Sequence, residues 1–390
     1  MTSAYPSRRL GEVLSLEYGR PLPEADRATE PGVPAYGANG ILCWSSKAYR
    51  AGPSIIVGRK GSAGEVTLTD GPFWPTDVTY FVNHNPSQTD LRYLFHLLKF
   101  LNLPSLARGV KPGINRNDVY SLLAPIPQLS EQRRVVALLD EALEGNAKAS
   151  ANTGRNLANV PVFLDRAIAA KLAALPAARE VPVETLAHAE RGSIRTGPFG
   201  SQLLHGEFVE DGVAVLGIDN AVRNEFAWDK RRYITAAKYQ QLKRYSVRPG
   251  DVLITIMGTC GRCAVVPDDI PLAINTKHLC CITLDRAKCL PEFLHAYFLF
   301  HPKARAYLAA RAKGSIMDGL NMGIIKELPV ELPTLEDQRD LIQWVAEFRS
   351  AASTLAEVQT RKRTALVELR AALLRHAFSG RLTKTPAVAA

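Results

Sequence analysis

The chain has 390 residues, 46% of them apolar and 22% charged, and its 48 Lys and Arg against 38 Asp and Glu give a formal charge of +10. That apolar content fills sizeable cores, which excludes wholesale disorder, and the length suggests two or three domains. There is no apolar run long enough for a membrane span, and the polar N-terminus with Arg8 and Arg9 has no apolar h-region, so a cytoplasmic protein is expected, its charge hinting at a polyanion such as nucleic acid.

From the N-terminus, short Val/Ile/Leu runs alternate with Gly, Pro and Asp turns, which predicts a mixed strand-and-loop domain over residues 1–128. A Pro-punctuated boundary leads to a helix over 129–178, starting near Ser130 with Arg133 at its third position. Its apolar positions include Val135, Leu139, Ala142, Ala149, Val160, Leu164, Ile168 and Leu172, while Gly145, Gly154 and Pro161 predict a bend or short break. A second mixed domain follows over 179–334. The helix predicted over 335–380 has Leu341, Val345, Phe348, Ala352, Leu355, Gln359, Lys362, Leu366, Leu369, Leu373 and His376 in an alternating four-and-three spacing, the seam of a coiled coil with polar interruptions. Residues 381–390 are expected to be a flexible tail.

These segments repeat. Pro127, Glu131, Gln132 and Arg133 correspond to Pro333, Asp337, Gln338 and Arg339 at an offset of 206, and Gly113-Ile114-Asn115 to Gly319-Leu320-Asn321 at the same offset. Gly61-Ser62-Ala63-Gly64 corresponds to Gly258-Thr259-Cys260-Gly261 at 197, and Gly19 pairs with Gly192 at 173. Each half is thus a mixed domain followed by a helix of about 45 residues, far above the ~10–14 of an ordinary globular helix. Two such helices in one chain are expected to pair antiparallel under an approximate two-fold axis, giving an α+β protein of two mixed α/β domains joined by a coiled coil. That arrangement suits two inverted but unlike half-sites on a duplex.

Six cysteines are present, at positions 43, 260, 263, 280, 281 and 289. Cys260, Cys263, His278, Cys280 and Cys281 invite a zinc reading, but the spacing is not a familiar zinc pattern and the cysteines lie in strand-like runs, so no metal is expected.

Thr196-Gly197-Pro198-Phe199-Gly200-Ser201-Gln202-Leu203, Arg248-Pro249-Gly250-Asp251-Val252-Leu253-Ile254, Gly258-Thr259-Cys260-Gly261-Arg262, both helix starts and Ala377-Phe378-Ser379-Gly380-Arg381-Leu382 together carry a resemblance. Over essentially its whole length the chain resembles the specificity (S) subunits of type I restriction-modification systems. The resemblance implies two target recognition domains, spaced by the paired helices, that read the halves of a DNA target. It implies a non-catalytic subunit without a cofactor of its own. Two modification subunits, which would carry S-adenosylmethionine and methylate adenine, and restriction subunits are the implied partners, with no membrane.

The residues agree with a chain that does no chemistry. There is no phosphate-binding P-loop and no Gly-rich nucleotide fingerprint, Asn85-Pro86-Ser87 fails the amino-methyltransferase pattern, and Pro267-Asp268-Asp269 reads as a turn rather than a nuclease cluster. DNA contacts are expected from basic and polar loop residues. In the first half these are Arg59, Lys60, Ser62, Arg108, Lys111 and Asn115, the last equally suited to capping a helix. In the second they are Ser201, Gln202, Thr259, Arg262, Lys313 and Ser315, with a denser basic stretch of Arg223, Lys230, Arg231, Arg232, Lys243 and Arg244. Gln132, Arg133, Gln338 and Arg339 recur and suit either partner binding or bracing of the domain–helix junction. The competing readings are a coiled-coil scaffold without DNA contact, against which the charge argues, and a stand-alone nuclease or methyltransferase.

Overall fold

The computed structural model describes residues 4–177, 179–312 and 320–384. The chain divides into two compact units, residues 1–155 with 359–390, and residues 156–358.

The first unit contains strands β1 (Ser7–Arg9), β2 (Leu14–Tyr18), β3 (Arg27–Ala28), β4 (Val33–Gly37), β5 (Gly40–Ser45), β6 (Ser54–Gly58), β7 (Val66–Thr69), β8 (Trp74–Pro75), β9 (Thr79–His84) and β10 (Leu123–Pro125), and helices α1 (Leu91–Phe100) and α2 (Arg116–Ser121). They build a sheet of order β2-β9-β6-β7, a second of order β3-β5-β4-β8 and a ribbon β1-β10. The β4–β8 pairing is parallel and the others are antiparallel. Helix α1 begins where the Asp90 carboxylate accepts from the Tyr93 N–H at 3.0 Å. It buries Tyr93, Leu94, Leu97 and Leu98 in one core with Leu16, Ile55 and Val57.

The second unit contains β11 (Arg179–Pro182), β12 (Ile194–Thr196), β13 (Val213–Leu216), β14 (Tyr233–Ile234), β15 (Ser246–Val247), β16 (Val252–Thr255), β17 (Cys263–Val265), β18 (Ala273–Asn275), β19 (Leu279–Ile282) and β20 (Pro329–Leu332). Two long helices carry residues of both units, α3 (Leu129–Ala173) and α8 (Leu335–Ser379), and between them come α4 (Ala236–Leu242), α5 (Pro291–Phe300), α6 (Pro302–Ala312) and α7 (Met322–Lys326). The sheets run β12-β19-β16-β17 and β14-β13-β18-β15, with a ribbon β11-β20. The parallel pair is now β13–β18. The first sheet and the ribbon thus repeat in the same order, and among the described residues each second sheet holds one parallel pair, at the edge in the first unit and central in the second.

The offset series needs one correction. A Cβ on Gly19 would lie 2.1 Å from the Thr76 carbonyl oxygen, and a Cβ on Gly197 would lie 2.1 Å from that of Asn275, whereas nothing lies within 4 Å of one on Gly192. The counterpart of Gly19 is thus Gly197, the glycine that lets β12 leave its sheet against the turn after β18. Gly197→Ala is expected to lower stability by about 3 kcal/mol, because rigid backbone has to move. Gly145→Ala, where a Cβ meets nothing within 4 Å on the exposed side of α3, should raise it by about 0.5–1 kcal/mol. Urea denaturation midpoints of the two variants check both.

In the first unit, Val135, Val136 and Leu139 of α3 share a core with Ala377 and Phe378 of α8, and the Asn146 amide donates to the Leu366 carbonyl at 2.9 Å. In the second unit, Ile168 and Leu172 of α3 pack with Leu341 and Val345 of α8, and the rings of Phe163 and Phe348 lie 5.7 Å apart. The start of each helix thus meets the end of the other, an antiparallel pairing. The heptad seam is fully buried only at its start, at Leu341 and Val345. Leu355 and Leu369 are each 47% exposed, while the adjacent Ala356 is half-buried, the drift expected when a 3.5-residue pattern is laid on a 3.6-residue helix.

Three sequence expectations change here. Helix α3 runs unbroken through Gly145, Gly154 and Pro161. Pro161 is exposed, and the carbonyl it leaves without a donor, that of Leu157, lies on a half-buried residue. The helix starts at Leu129, with the Gln128 carbonyl accepting from the N–H groups of Glu131 and Gln132, so Ser130 is inside it rather than its cap. Residues 381–384 are not a loose tail. Leu382 packs on the core of the first unit, and Thr383 is 7% exposed and hydrogen-bonded to Glu131; residues 385–390 lie outside the described residues.

The cysteines of β17 and β19 behave as small apolar residues. Cys263 and Cys280 enter one core and Cys281, on the opposite face of β19, enters another. Burial raises all three thiols above their ordinary range, Cys280 to about 12. Among the described residues no group of His, Cys, Asp and Glu could hold a metal ion.

Candidate nucleic-acid interface

In the first unit two loops are tied into one surface. The chain leaving β6 turns through Gly61 and Gly64, at φ +78° and +85°, a left-handed backbone that favours glycine. The Gly61 N–H donates to the Pro112 carbonyl at 2.9 Å and the Ile114 N–H to that of Arg59 at 3.0 Å. The loop 108–113 is closed by reciprocal bonds between Arg108 and Gly113. These bonds gather Arg59, Lys60, Ser62, Arg108, Lys111 and Asn115, up to 56 positions apart in sequence, into one cluster. The Asn115 side chain has a structural task, its carbonyl oxygen capping α2 by accepting from the Asn117 N–H at 2.9 Å.

The same surface holds residues that the sequence reading missed. Tyr18, at the end of β2, is 46% exposed, and the guanidinium carbons of Arg59 and Arg116 each lie 5.1 Å from its ring centroid. Val110, at the tip of the second loop, is fully exposed. Arg116 directly follows the predicted Asn115, but nothing in the sequence marks Tyr18 as its neighbour.

The charges of this surface are not neutralised. Elsewhere in the unit cations meet acids, as in Arg8–Glu12, Lys47–Asp26, Arg50–Glu17 and Arg92–Asp140. Arg59, Lys60, Arg108, Lys111 and Arg116 have no ion-pair partner among the described residues. A group of cations on tied loops creates a local positive potential that attracts a polyanion.

The second unit repeats the tight turn. Gly258 and Gly261 are left-handed at φ +74° and +78°, and the Gly261 N–H donates to the Thr255 carbonyl as that of Gly64 does to Gly58. Thr259 and Arg262 are exposed on this hairpin. Ser201 is exposed on its turn, while the Gln202 carbonyl oxygen is engaged by the Phe199 N–H and, at 2.9 Å, by the Tyr245 hydroxyl. Lys313 and Ser315 lie outside the described residues.

The basic stretch does not form one patch in the structure. Arg223 pairs with Asp229 at 2.9 Å and, with Arg262, lines a cleft of about 710 Å³ beside α3 and α8 together with Asp165, Glu225, Arg305 and Arg349. Arg232 pairs with Asp219, and Arg231 lies over the Trp228 ring. Lys230 is exposed, whereas Lys243 and Arg244 line a separate hollow with Arg191, Arg195 and Arg248. Asp229 inside the stretch and Asp219 just before it neutralise part of it, which a count of Lys and Arg alone overlooks.

Gln132 and Gln338 are fully buried, so their reading as partner contacts is corrected in favour of bracing. The Gln132 carbonyl oxygen accepts from the Asp90 N–H at 2.8 Å, and its amide donates to the carbonyls of Gln88 and Pro127. Gln338 repeats this with the Leu290 N–H at 2.8 Å and the carbonyls of Lys288 and Pro333. Each ties the start of a long helix to the start of α1 or α5. Arg133 and Arg339 remain exposed.

Comparison with known proteins bears on this arrangement. The family model for the type I restriction modification DNA specificity domain matches residues 3–150 and 221–357, well over half of the chain. The chain is 23% identical over 389 residues to the EcoBI type I restriction enzyme specificity subunit of Escherichia coli, covering 90% of this chain and 80% of that one. It is 22% identical over 335 residues to a putative type I specificity subunit of Haemophilus influenzae, covering 83% and 82%. Among solved structures it is similar to a chain of a type I R-M system studied for complex assembly and conformational transition (TM-score 0.69, 19% identity, 97% and 98% covered). It is also similar to the HsdS subunit of Thermoanaerobacter tengcongensis (TM-score 0.64, 18% identity, 97% of both chains covered). These two likenesses concern the fold.

Proposed function

The chain belongs to the family of type I restriction-modification DNA specificity proteins, and from that premise we propose that each unit reads one half of an asymmetric, bipartite DNA target. The observation that carries this reading is the surface of the first unit, where five cations without ion-pair partners among the described residues are held on two tied loops. Phosphates supply most of the affinity of such a surface, and base edges supply its sequence selection. The second unit presents its own hairpin and turn with different side chains, so the two half-targets differ. The long helices set how many base pairs are left unread between them.

The chain contributes no catalytic group to this scheme. Two modification subunits would carry S-adenosylmethionine and methylate one adenine in each half-target, restriction subunits would join them, and the assembly would act in the cytoplasm. Among the described residues no helix is long and apolar enough to cross a membrane.

The test is to co-express the chain with its modification subunit and map methylated adenines across the host genome. A bipartite, asymmetric motif is expected, and a demonstrably assembled complex that adds no such motif overturns the reading. Within that complex Lys60→Ala should weaken binding by a similar factor on every duplex and reduce the slope of log affinity against log salt by about one, as measured by fluorescence anisotropy across a salt series.

A further inference from the structure

Phosphate attraction alone does not account for how Arg59 and Arg116 are held. Both guanidinium carbons lie 5.1 Å from the Tyr18 ring centroid. The Tyr18 ring lies 5.1 Å from that of Tyr80, which is 3% exposed and donates its hydroxyl to the Ile114 carbonyl. The backbones beneath are fixed too. The Arg59 N–H donates to the Val78 carbonyl, and Arg116 is the first residue of α2 after its Asn115 cap.

Neither arginine side chain has a hydrogen bond or ion pair among the described residues. The Arg59 Nε is buried without a partner, so the terminal nitrogens are the accessible side of its fork. Two like charges on one ring repel each other, and among the described residues no acid pairs with either. A guanidinium fork also fits phosphate, but there a lysine can stand in as a point charge, whereas it cannot reproduce two fixed parallel donors on a planar base edge. A stacked, immobilised guanidinium loses less rotamer freedom on binding and presents two parallel donors. In duplex DNA the acceptor pair that matches such a fork is O6 and N7 of guanine in the major groove.

We infer that Arg59 and Arg116, positioned by Tyr18, are base readers that select guanine in the half-target of the first unit. This rests on the proposal that the unit reads DNA and goes beyond it by naming the residues and the base. Tyr18 is the positioning residue.

The experiment uses the chain assembled with its modification subunit. Arg59→Lys, Arg116→Lys, Tyr18→Phe and Tyr18→Leu are compared by genome-wide methylation mapping and by binding to duplexes with 7-deazaguanine in place of each guanine. Either lysine variant should relax one guanine of the first half-target, losing roughly 10- to 100-fold in discrimination against other bases. Tyr18→Phe should keep the motif, and Tyr18→Leu should relax it. The second half-target should stay unchanged, an internal control for folding and assembly. With the parent chain 7-deazaguanine should weaken binding at the read position, and with the matching lysine variant it should have no further effect. An unchanged motif, or an equal loss on all duplexes, overturns the assignment and leaves only phosphate contacts. A parent complex with no bipartite motif overturns the reading of the unit, and this inference with it.

Discussion

Replacing Gln338 by alanine is expected to destabilise the second unit by about 4 kcal/mol, and Gln132→Ala to do the same in the first. Both side chains are fully buried, and each satisfies one backbone N–H and two backbone carbonyls. An alanine leaves three polar backbone groups without this partner, those of Pro127 and Pro333 on buried residues, at about 1–3 kcal/mol for each group that water does not reach. A glutamate would fare no better, since it cannot donate to either carbonyl when ionised and buries a charge. Urea denaturation followed by circular dichroism checks the size, and a loss below about 1 kcal/mol for both alanines would show that water takes over the bonds.

The identities and the offset of these glutamines were readable in the sequence, but their task was not. A glutamine beside a helix start suits a surface contact as well as a buried brace. What decides is the placement of the loops before α1 and α5, each of which brings one N–H and one carbonyl to the side chain. The same limit explains the Gly19 register. Segments of different length separate the matching turns in the two halves, so sequence alone aligned Gly19 with a glycine in an open turn, while the backbone collision identifies Gly197. The topology repeat, the two long helices and the loops carrying Arg59 and Arg108 were legible because glycine spacing and apolar periodicity are local signals. The Tyr18–Arg116 contact was not, because it joins residues about a hundred positions apart through a turn of the sheet. The dispersal of the stretch from Arg223 to Arg244 was hidden for the opposite reason. Its cations are local in sequence, and their partners Asp219 and Asp229 divide them among different surfaces.

The Arg248-Pro249-Gly250-Asp251 turn, which in the sequence served only as a family signature, rests on one carboxylate. Asp251 is 1% exposed. Its Oδ2 accepts from the Arg195 guanidinium at 2.6 Å, the Arg248 N–H at 2.9 Å and the Cys281 thiol at 3.1 Å, and its Oδ1 from the Thr283 hydroxyl at 2.6 Å. Burial, followed by this carboxylate, keeps the Cys281 thiol protonated and able to donate. Asp251→Asn is expected to cost about 3–5 kcal/mol, because an amide turns a donor toward other donors and leaves the guanidinium of Arg195, itself mostly buried, without a counter-charge. The double replacement Asp251→Leu with Arg195→Met removes both charges and should recover about 2 kcal/mol of that loss, since desolvation of the pair is then no longer required. Denaturation curves of the single and double variants provide the comparison. If the double variant is no more stable than Asp251→Asn, the turn depends on the hydrogen bonds to Arg248 and Thr283 rather than on the ion pair.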